Sequence, residues 1–375
     1  MFRKLETDRW LFLSTVALCL VGAVMVFSAS AVTSREQYGS AYHFLIRQLL
    51  WLVLGAGGML LLMNLDYLVL RKPAVVLSGL SVVLVMLVAV FFLDRHHDTH
   101  RWISFAGVGL EPSEFAKLAV IAYLAWFLER RLKAGPKKIN DLRHTIVPAL
   151  APVLVVLALI AKQPDLGTAI EIFLIALAML FVAGVSMKYL AAAGAAVVPF
   201  VVYMIIFVPW RFERMVSFLY PNVDPQGKGF QLIQSLIAVG SGGFTGVGLM
   251  ESRQKLFYLP EAHTDFIFAV VCEELGFIGG VIVLALFAVY AWRGMRAALE
   301  SLDPFGRLVA LGITTMIVSQ ALINLCVVLG MLPTKGIPLP FISYGGSSLL
   351  AMLWATGVLL NISQNAGHHV GRRAA

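Results

Sequence analysis

Long apolar stretches recur along the whole chain, and polar residues are gathered between them. Ten of these stretches approach the roughly 20 residues that an α-helix needs to cross a lipid bilayer. They cover residues 11–32, 46–65, 74–93, 113–128, 145–161, 166–185, 190–209, 266–291, 308–330 and 348–364. The pattern predicts an all-α integral membrane protein, with ten transmembrane helices in a single polytopic domain over residues 1–375.

Composition excludes the main alternatives to a membrane protein. Of 375 residues, 59% are hydrophobic and only 13% are charged, whereas soluble domains carry about a quarter charged residues. A soluble enzyme, a disordered protein and a secreted disulfide scaffold are therefore excluded. Cys19, Cys272 and Cys326 lie in apolar stretches, where we expect them to be core residues. The first stretch is longer than a signal-peptide core, so it is expected to remain as a span, although residues 28–31 resemble a cleavage site.

The distribution of basic residues predicts the orientation in the membrane. An even number of spans puts both ends on one side. If that side is the cytoplasm, most of the lysines and arginines lie on the inner side. The short outer loops then hold only Arg35, Arg95, Arg101, Lys162 and Lys335. This is the positive-inside pattern, so the net charge of +8 reflects topology and contact with anionic membrane lipids. We expect no nucleic-acid partner.

Residues 210–264 form the longest segment between two predicted spans, and the orientation places this segment outside the cytoplasm. Connections of this length are usually functional or disordered. Apolar residues recur at helical spacing over residues 230–237, which predicts a short helix in the membrane interface. The glycine-rich residues 241–248 favour tight turns that expose backbone N–H groups, with a flexible linker as the alternative. We expect this long extracytoplasmic loop to carry site residues.

The end of the long loop concentrates charge beside an apolar span. Glu261, His263 and Asp265 lie among aromatic residues, where charge is costly unless it has a function. A purely structural alternative is that Thr264 or Asp265 caps the helix that begins there. These residues are therefore candidates both for chemistry and for a helix cap.

Ionisable residues also occur within the predicted spans. Glu114 and Lys117 are three residues apart, on one face of the fourth span, and can neutralise each other. Asp165 lies in a tight turn and is a candidate cap for the sixth span. Charges of this kind mark either a polar tunnel or a structural ion pair. The further acidic residues to which both alternatives apply are Glu171, Glu273 and Glu274.

The last outer loop, residues 332–348, combines stiffness with exposed backbone donors. Three prolines restrict its backbone, and the pair Gly345 and Gly346 leaves N–H groups accessible. With Lys335 near its start, the loop is compatible with an anion site for phosphate. Ser347 or Ser348 is a candidate cap for the last helix.

Strings spread over most of the chain resemble those of the SEDS family, whose name stands for shape, elongation, division and sporulation. They are residues 101–103, 111–117, 163–168, 260–268, 273–276 and 336–348. The most specific are Pro-Glu-Ala-His-Thr-Asp-Phe at 260–266 and Ile-Ser-Tyr-Gly-Gly-Ser-Ser at 342–348. The ten predicted spans agree with the fold that this resemblance implies.

The resemblance implies a peptidoglycan glycosyltransferase that polymerises lipid II into a glycan strand on undecaprenyl pyrophosphate. The reaction takes place at the outer face of the bacterial cytoplasmic membrane, with a class B penicillin-binding protein as transpeptidase partner. Residues 332–336 (Leu-Pro-Thr-Lys-Gly) resemble division-type members, which implies a septal location and other division proteins as partners. An elongation-type polymerase is the alternative within the family.

The family's essential acidic residue matches Asp265, and one carboxylate suits the reaction. The pyrophosphate is already a good leaving group, whereas the acceptor hydroxyl needs a general base. We therefore assign Asp265 as the catalytic base, and the resemblance implies inversion at the sugar. The candidate substrate-binding residues are Arg101, Glu114, Lys117, Asp165, Arg211, Arg214, His263, Lys335 and Ser343, of which the three arginines and Lys335 are cationic candidates for the pyrophosphate.

Metal use and two further functions stay open at the level of sequence. A divalent cation, Mg²⁺ or Mn²⁺, suits a pyrophosphate reaction, but the sequence identifies no ligands for it. The run His96, His97, Asp98 and His100 is more typical of a solvated loop than of a metal site. A lipid II flippase is the main alternative function, because charges within spans suit a translocation path equally well. A scaffold for division proteins accounts less well for the charged outer loop.

Overall fold

The computed structural model describes residues 7–94, 100–105, 108–256 and 258–373, and helices dominate it. In chain order the helices are α1 (Arg9–Tyr38), α2 (His43–Asn64), α3 (Pro73–Leu93), α4 (Pro112–Lys133), α5 (Pro136–Ile139), α6 (Val147–Lys162), α7 (Leu166–Val182), α8 (Met187–Ile206), α9 (Pro209–Leu219), α10 (Phe230–Ser241), α11 (Ile267–Glu300), α12 (Pro304–Val328) and α13 (Gly346–Arg373). Every predicted span coincides with one of the ten longer helices outside the segment between α8 and α11. The prediction of a helical, multi-pass membrane protein is therefore confirmed.

Eight helical stretches in the described part of the chain are long and apolar enough to cross a membrane. The two longer helices outside this group are α4 and α7. Helix α4 carries Glu114 and Lys117 and ends in the charged run 129–133, while α7 has only 17 residues. Length and apolarity alone thus identify eight spans, and the count of ten stays a prediction.

Helices α4, α7 and α12 pack against one another in the interior of the bundle. Helix α12 presents buried side chains along most of its length, whereas α8 buries none of its residues and lies at the periphery. A peripheral helix with apolar residues on all sides is typical of contact with lipid. The interior position of α4 is what lets this helix carry charge.

A small β-hairpin, which the all-α prediction omitted, precedes α4. Strands β1 (Ile103–Phe105) and β2 (Val108–Leu110) pair antiparallel, with Ser104 opposite Gly109. Gly109 admits the Trp102 ring, since a Cβ at this position would lie 3.2 Å from it. Only three residues in each strand pair, so no periodic pattern was long enough to reveal them. The hairpin places Arg101 at the mouth of the bundle.

The described part of the segment between α8 and α11 packs against the bundle, and the helix predicted over residues 230–237 is confirmed as α10. Its Ser235 hydroxyl donates to the Val328 carbonyl at 2.8 Å, which fastens α10 to the end of α12. The glycine-rich stretch that follows docks where α11 is broken by Gly276, whose φ is +65°. The Glu273 and Glu274 carbonyls accept hydrogen bonds from the N–H groups of Val247 and Gly248. The flexible-linker alternative for this stretch is therefore wrong.

Two buried carboxylates of α11 hold the loop that follows this glycine-rich stretch. Glu274 forms a 2.8 Å salt bridge with Lys255. Its two carboxylate oxygens lie 2.6 and 2.7 Å from the Ser28 hydroxyl of α1, which donates to them. Glu273 accepts from the Ser252 hydroxyl and from the Arg253 N–H. We call these five side chains and the Arg253 N–H the loop anchor. It explains why acidic residues lie within an apolar helix.

Candidate active site

Asp265 lies directly before α11 but does not cap it. Phe266 occupies the cap position, and no side chain accepts a hydrogen bond from the first turn. Among the residues that the structure describes, none forms a hydrogen bond or salt bridge with the Asp265 carboxylate. Gly336 of the last loop approaches so closely that a Cβ there would lie 3.0 Å from Oδ2 of Asp265. The cap alternative is thus wrong, and the carboxylate is free for chemistry.

Burial sets the acidity of Asp265. Removal from water raises the pKa of this carboxyl, and the nearby charge of Glu261 raises it further. Arg101 and Arg214 act in the opposite direction, and the resulting pKa is about 7. A carboxylate with a pKa near neutrality is well matched to accept a proton in catalysis.

Asp265 forms part of the wall between two cavities. The larger, of about 760 Å³, lies between α2, the β-hairpin and the start of α13. We call it the large cavity; its lining includes Arg47, Trp51, Trp102, Glu111, Glu261, Tyr344 and Ser348. The second cavity that Asp265 lines has a volume of about 480 Å³. We call it the cationic cavity, because Arg101, Arg214 and Lys335 also line it. One carboxylate therefore faces two spaces.

The cationic cavity continues into a side pocket of about 180 Å³. The same three cations line it, together with Arg211 and Asp165. Leu166 and Ile170 also line this pocket, and they belong to an apolar groove of about 410 Å³ between α6, α7 and α8 as well. Charge and apolar surface are thus adjacent, which suits a ligand with an anionic head and a hydrocarbon tail.

Arg101 and Lys335 line both the cationic cavity and the side pocket, and contacts with α7 and the turn before it hold them there. Arg101 donates from Nη2 to the Pro164 carbonyl at 2.6 Å and from Nε to the Gln163 carbonyl at 3.1 Å. The Lys335 side chain crosses Gly167 of α7, and a Cβ at that glycine would overlap its Cε. Lys335 has no salt-bridge partner within the described ranges, and burial lowers its pKa to about 8. This lysine is a cation whose charge is available to a bound anion.

Helix α9 supplies the other two cations. The Arg211 and Arg214 guanidinium groups lie 4.9 and 5.3 Å from the centre of the Trp210 ring, within cation–π range. The buried Nε of Arg211 has no hydrogen-bond partner in the described structure. An unpaired buried donor is rare and costly, and in this place it faces the side pocket. The structure therefore brings all four predicted cations together.

Glu114 and Lys117 lie apart from these cavities. The Lys117 ammonium lies 3.0 Å from Glu114, 3.5 Å from Glu171 and 2.6 Å from Oε1 of Gln320, and all four side chains are buried. The predicted pairing of Glu114 with Lys117 is confirmed. A cation closed off by three partners is typical of a structural cluster rather than of a contact with substrate.

The remaining predicted site residues have structural partners. Asp165 lines the side pocket and caps α7, as predicted, through a 3.1 Å hydrogen bond from the Thr168 N–H. The His263 ring packs on Phe44 at 4.8 Å, away from the cavities that Asp265 lines. Ser343 is buried, and its hydroxyl donates to the Thr264 carbonyl at 2.6 Å. Asp265 and the cations therefore meet in one site, whereas His263 and Ser343 lie behind it.

Several lining residues were not predicted. Arg47, Trp102 and Glu111 face the large cavity, beside the predicted candidate Glu261. Burial and the charges of Glu114 and Asp165 raise the pKa of Glu111 to about 8. Glu111 lies within a string that resembles the SEDS family, but its place at the start of α4 gave no sign of a cavity. Arg47 fell inside an apolar stretch and was counted as part of a span.

Metal-binding residues are not evident. Within residues 7–94, 100–105, 108–256 and 258–373, no three His, Cys, Asp or Glu side chains are grouped to hold a metal ion. Of the candidate histidine run, His100 contacts the Asp94 carbonyl at 2.9 Å, and His96, His97 and Asp98 lie outside the described residues. The described side chains thus identify no ligand set for a divalent cation, and its use stays a prediction.

A membrane bundle whose cavities join a buried carboxylate, a row of cations and an apolar groove is typical of proteins that act on lipid-linked phosphates. Comparison with known families gives the particular assignment. The model of the cell cycle protein family that comprises FtsW, RodA and SpoVE matches residues 9–368. The chain belongs to this family.

Individual relatives match almost the whole chain. The chain is 43% identical over 363 residues to a protein of Trichlorobacter lovleyi described as a probable peptidoglycan glycosyltransferase FtsW, with 96% of this chain and 94% of the relative covered. It is 44% identical over 363 residues to stage V sporulation protein E of Bacillus subtilis, with 96% and 98% covered. The similarity to these relatives therefore extends over almost the whole chain.

Solved structures show the same architecture. A chain from a structure described as a peptidoglycan synthase complex that coordinates polymerisation and crosslinking superimposes with a TM-score of 0.78 at 30% identity, with 96% of this chain and 98% of that chain covered. The rod shape determining protein RodA of Thermus thermophilus gives 0.70 at 27% identity, with 96% and 98% covered. The fold described above is that of this family.

Proposed function

We propose that the protein is a peptidoglycan glycosyltransferase that polymerises lipid II at the outer face of the bacterial cytoplasmic membrane, in septal wall synthesis. The observation that supports this most is the position of Asp265 between two cavities, one of which leads through a row of cations to an apolar groove. Two lipid-linked sugars require two spaces that meet at one base. The names of the relatives support the reaction, and the description of the family as cell cycle proteins supports a role in division.

The proposed chemistry is a direct displacement. The acceptor sugar hydroxyl attacks the anomeric carbon of the donor, a new C–O bond forms, and the bond from that carbon to pyrophosphate breaks. The pyrophosphate leaves with the electron pair, and the Asp265 carboxylate accepts the hydroxyl proton. Arg101, Arg214 and Lys335 are placed to stabilise the departing anion. The configuration at the anomeric carbon of the donor sugar inverts, and no second carboxylate is needed.

The proposal includes ten spans with both ends in the cytoplasm. Counting α4 and α7 as spans gives this number, and the positive-inside distribution supports the orientation. Single cysteines at the exposed positions Arg143 and Lys228 test it in intact cells. A membrane-impermeant maleimide should label the cysteine at 228 and spare the one at 143, and the reverse pattern would invert the topology.

The partner and the cation are also proposals. A class B penicillin-binding protein is expected as transpeptidase partner, in keeping with the synthase complex whose structure is similar, and other division proteins and membrane lipids are expected around it. Mg²⁺ commonly binds through one or two carboxylates together with substrate phosphates, so we expect any Mg²⁺ or Mn²⁺ to bind together with the pyrophosphate. Chelation with EDTA tests this requirement.

The central experiment follows fluorescent lipid II on gels with purified full-length protein, with and without its transpeptidase partner. Wild type should produce glycan ladders. Asp265→Asn, which keeps the shape of the side chain, should reduce the rate by ~10²–10⁴-fold. Glu251→Gln is the matched control, since Glu251 lies exposed in the same segment and should retain activity.

Other outcomes would redirect the proposal. Ladders from Asp265→Asn at the wild-type rate would move the base to another residue. A flippase would give no ladders from any variant but would carry lipid II across proteoliposomes. The closed cluster around Lys117 argues against such a path, because its ammonium is already held by Glu114, Glu171 and Gln320.

A further inference from the structure

Three consecutive carbonyl groups of the catalytic segment accept hydrogen bonds from other parts of the chain. The His263 carbonyl accepts from the Tyr344 N–H at 3.0 Å. The Thr264 carbonyl accepts from the Ser343 hydroxyl at 2.6 Å, and the Asp265 carbonyl from Nδ2 of Asn324 at 2.7 Å. The backbone that carries Asp265 is therefore held at every residue from 263 to 265.

The donors to these carbonyls are themselves fixed. Asn324 is buried in α12, and its Nδ2 also donates to the Ile337 carbonyl at 2.7 Å. The Ser343 hydroxyl accepts from the Leu339 N–H at 2.8 Å while it donates to Thr264. Asn324 thus bonds both the catalytic segment, residues 263–265, and the last loop, while Ser343 of that loop bonds the segment and its own loop.

The last loop is also held from the interior of the bundle. One turn before Asn324 on α12, Gln320 donates to the Pro338 carbonyl at 2.9 Å and accepts from Lys117 at 2.6 Å. The Lys117 cluster therefore braces the loop on which Ser343 lies. Gly22 of α1 adds close packing, since a Cβ there would overlap the Phe341 carbonyl.

Neither Ser343 nor Asn324 lines the cavities that Asp265 faces. We propose that both are positioning residues that set the place of the Asp265 carboxylate between the donor and the acceptor, and that Ser343 does not bind substrate. This inference rests on the proposed polymerase activity. A displacement of about 1 Å at a reacting group can cost on the order of 10²-fold in rate.

The test uses full-length protein in the lipid II assay, with initial rates at several substrate concentrations. Ser343→Ala removes the hydroxyl, Ser343→Thr keeps it, and Asn324→Leu removes the amide donors at similar volume. The control is Ser319→Ala, also on α12, whose hydroxyl donates to the Met316 carbonyl of its own helix at 3.2 Å. Hydrogen–deuterium exchange of peptides covering residues 258–268 reports the order of the catalytic segment without any need for activity.

We expect Ser343→Ala and Asn324→Leu to lower kcat on the order of 10²-fold while KM stays within about twofold. Ser343→Thr should restore most of kcat, and exchange at 258–268 should rise in the two impaired variants only. The double variant should lose less than the product of the two single losses, because both side chains hold one segment.

Two results would overturn the inference. A rise in KM at unchanged kcat for Ser343→Ala would show that Ser343 binds substrate. Wild-type rates and wild-type exchange in both variants would show that the segment does not depend on them. If wild type itself makes no glycan, the proposed function fails, and the exchange measurement alone decides whether Ser343 and Asn324 hold the segment.

Discussion

Individual side chains predict a bell-shaped dependence of kcat/KM on pH. Asp265 must be deprotonated to accept a proton, so activity should rise as pH increases through its pKa of about 7. Lys335 must be protonated to attract a phosphate, so activity should fall above its pKa of about 8. Both limbs report the free enzyme, and initial rates at low lipid II concentration between pH 5.5 and 9.5 would measure them.

Two variants assign these limbs. Glu261→Gln removes a negative charge that raises the pKa of Asp265, so the acid limb should move to lower pH. Lys335→Arg keeps a cation that does not titrate in this range, so the alkaline limb should disappear. An acid limb that stays in place in Glu261→Gln, or an alkaline limb that persists in Lys335→Arg, would refute the corresponding assignment.

For individual residues, the sequence predicted which residues belong to the site better than it predicted what their side chains contact. Asp265 and the four cations were found because charge is conspicuous beside apolar spans and because their strings resemble a family. His263 and Ser343 lay in the same strings, yet the structure turns them towards Phe44 and Thr264. Adjacency in sequence does not show which way a side chain points, and that direction separates a lining residue from a supporting one.

The loop anchor predicts how α11 and the long loop depend on each other. Lys255 and Glu274 form a buried salt bridge, and loss of one partner of such a pair leaves an unpaired charge that costs about 3–5 kcal/mol. Lys255→Met and Glu274→Gln should each lower the free energy of unfolding by this order, and the double variant by less than the sum. Thermal or chemical unfolding in detergent would measure these changes.

An exposed pair provides the control for the loop anchor. Lys228 and Glu213 lie 2.6 Å apart in the same segment, with side chains 55% and 45% exposed. Exposed pairs contribute about 0–1 kcal/mol, so Lys228→Met should leave unfolding almost unchanged. Equal losses for Lys255→Met and Lys228→Met would show that burial does not distinguish the two pairs.

Helices and strands were predicted from the sequence where their pattern of apolar residues extends over many positions. All ten apolar stretches are helices, and α10 was found from the spacing of five apolar residues. The β-hairpin was missed because three residues per strand give no usable period. The break in α11 at Gly276 was missed as well, since its cause is the loop that docks there and not the local sequence.

For the whole molecule, apolarity predicts a membrane bundle but not the packing order of its helices. Helices α4 and α7 fall short of what length and composition require of a span, yet they lie next to α12 in the interior. Long-range pairs decide this arrangement: Gln320 meets Lys117 and Asn324 meets Asp265. Such pairs join residues that are distant in the chain, and one sequence carries no record of their contact.

The buried charge on α4 has a consequence for biosynthesis. A helix with Glu114 and Lys117 near its start enters lipid at a cost of several kcal/mol unless the charges are paired. Glu114 is made together with Lys117, but Glu171 and Gln320 leave the ribosome some 54 and 203 residues after Lys117. The translocon therefore meets α4 before two of its partners exist. We expect α4 to stay beside the translocon until α7 and then α12 arrive, so that integration into the membrane does not follow the order of synthesis.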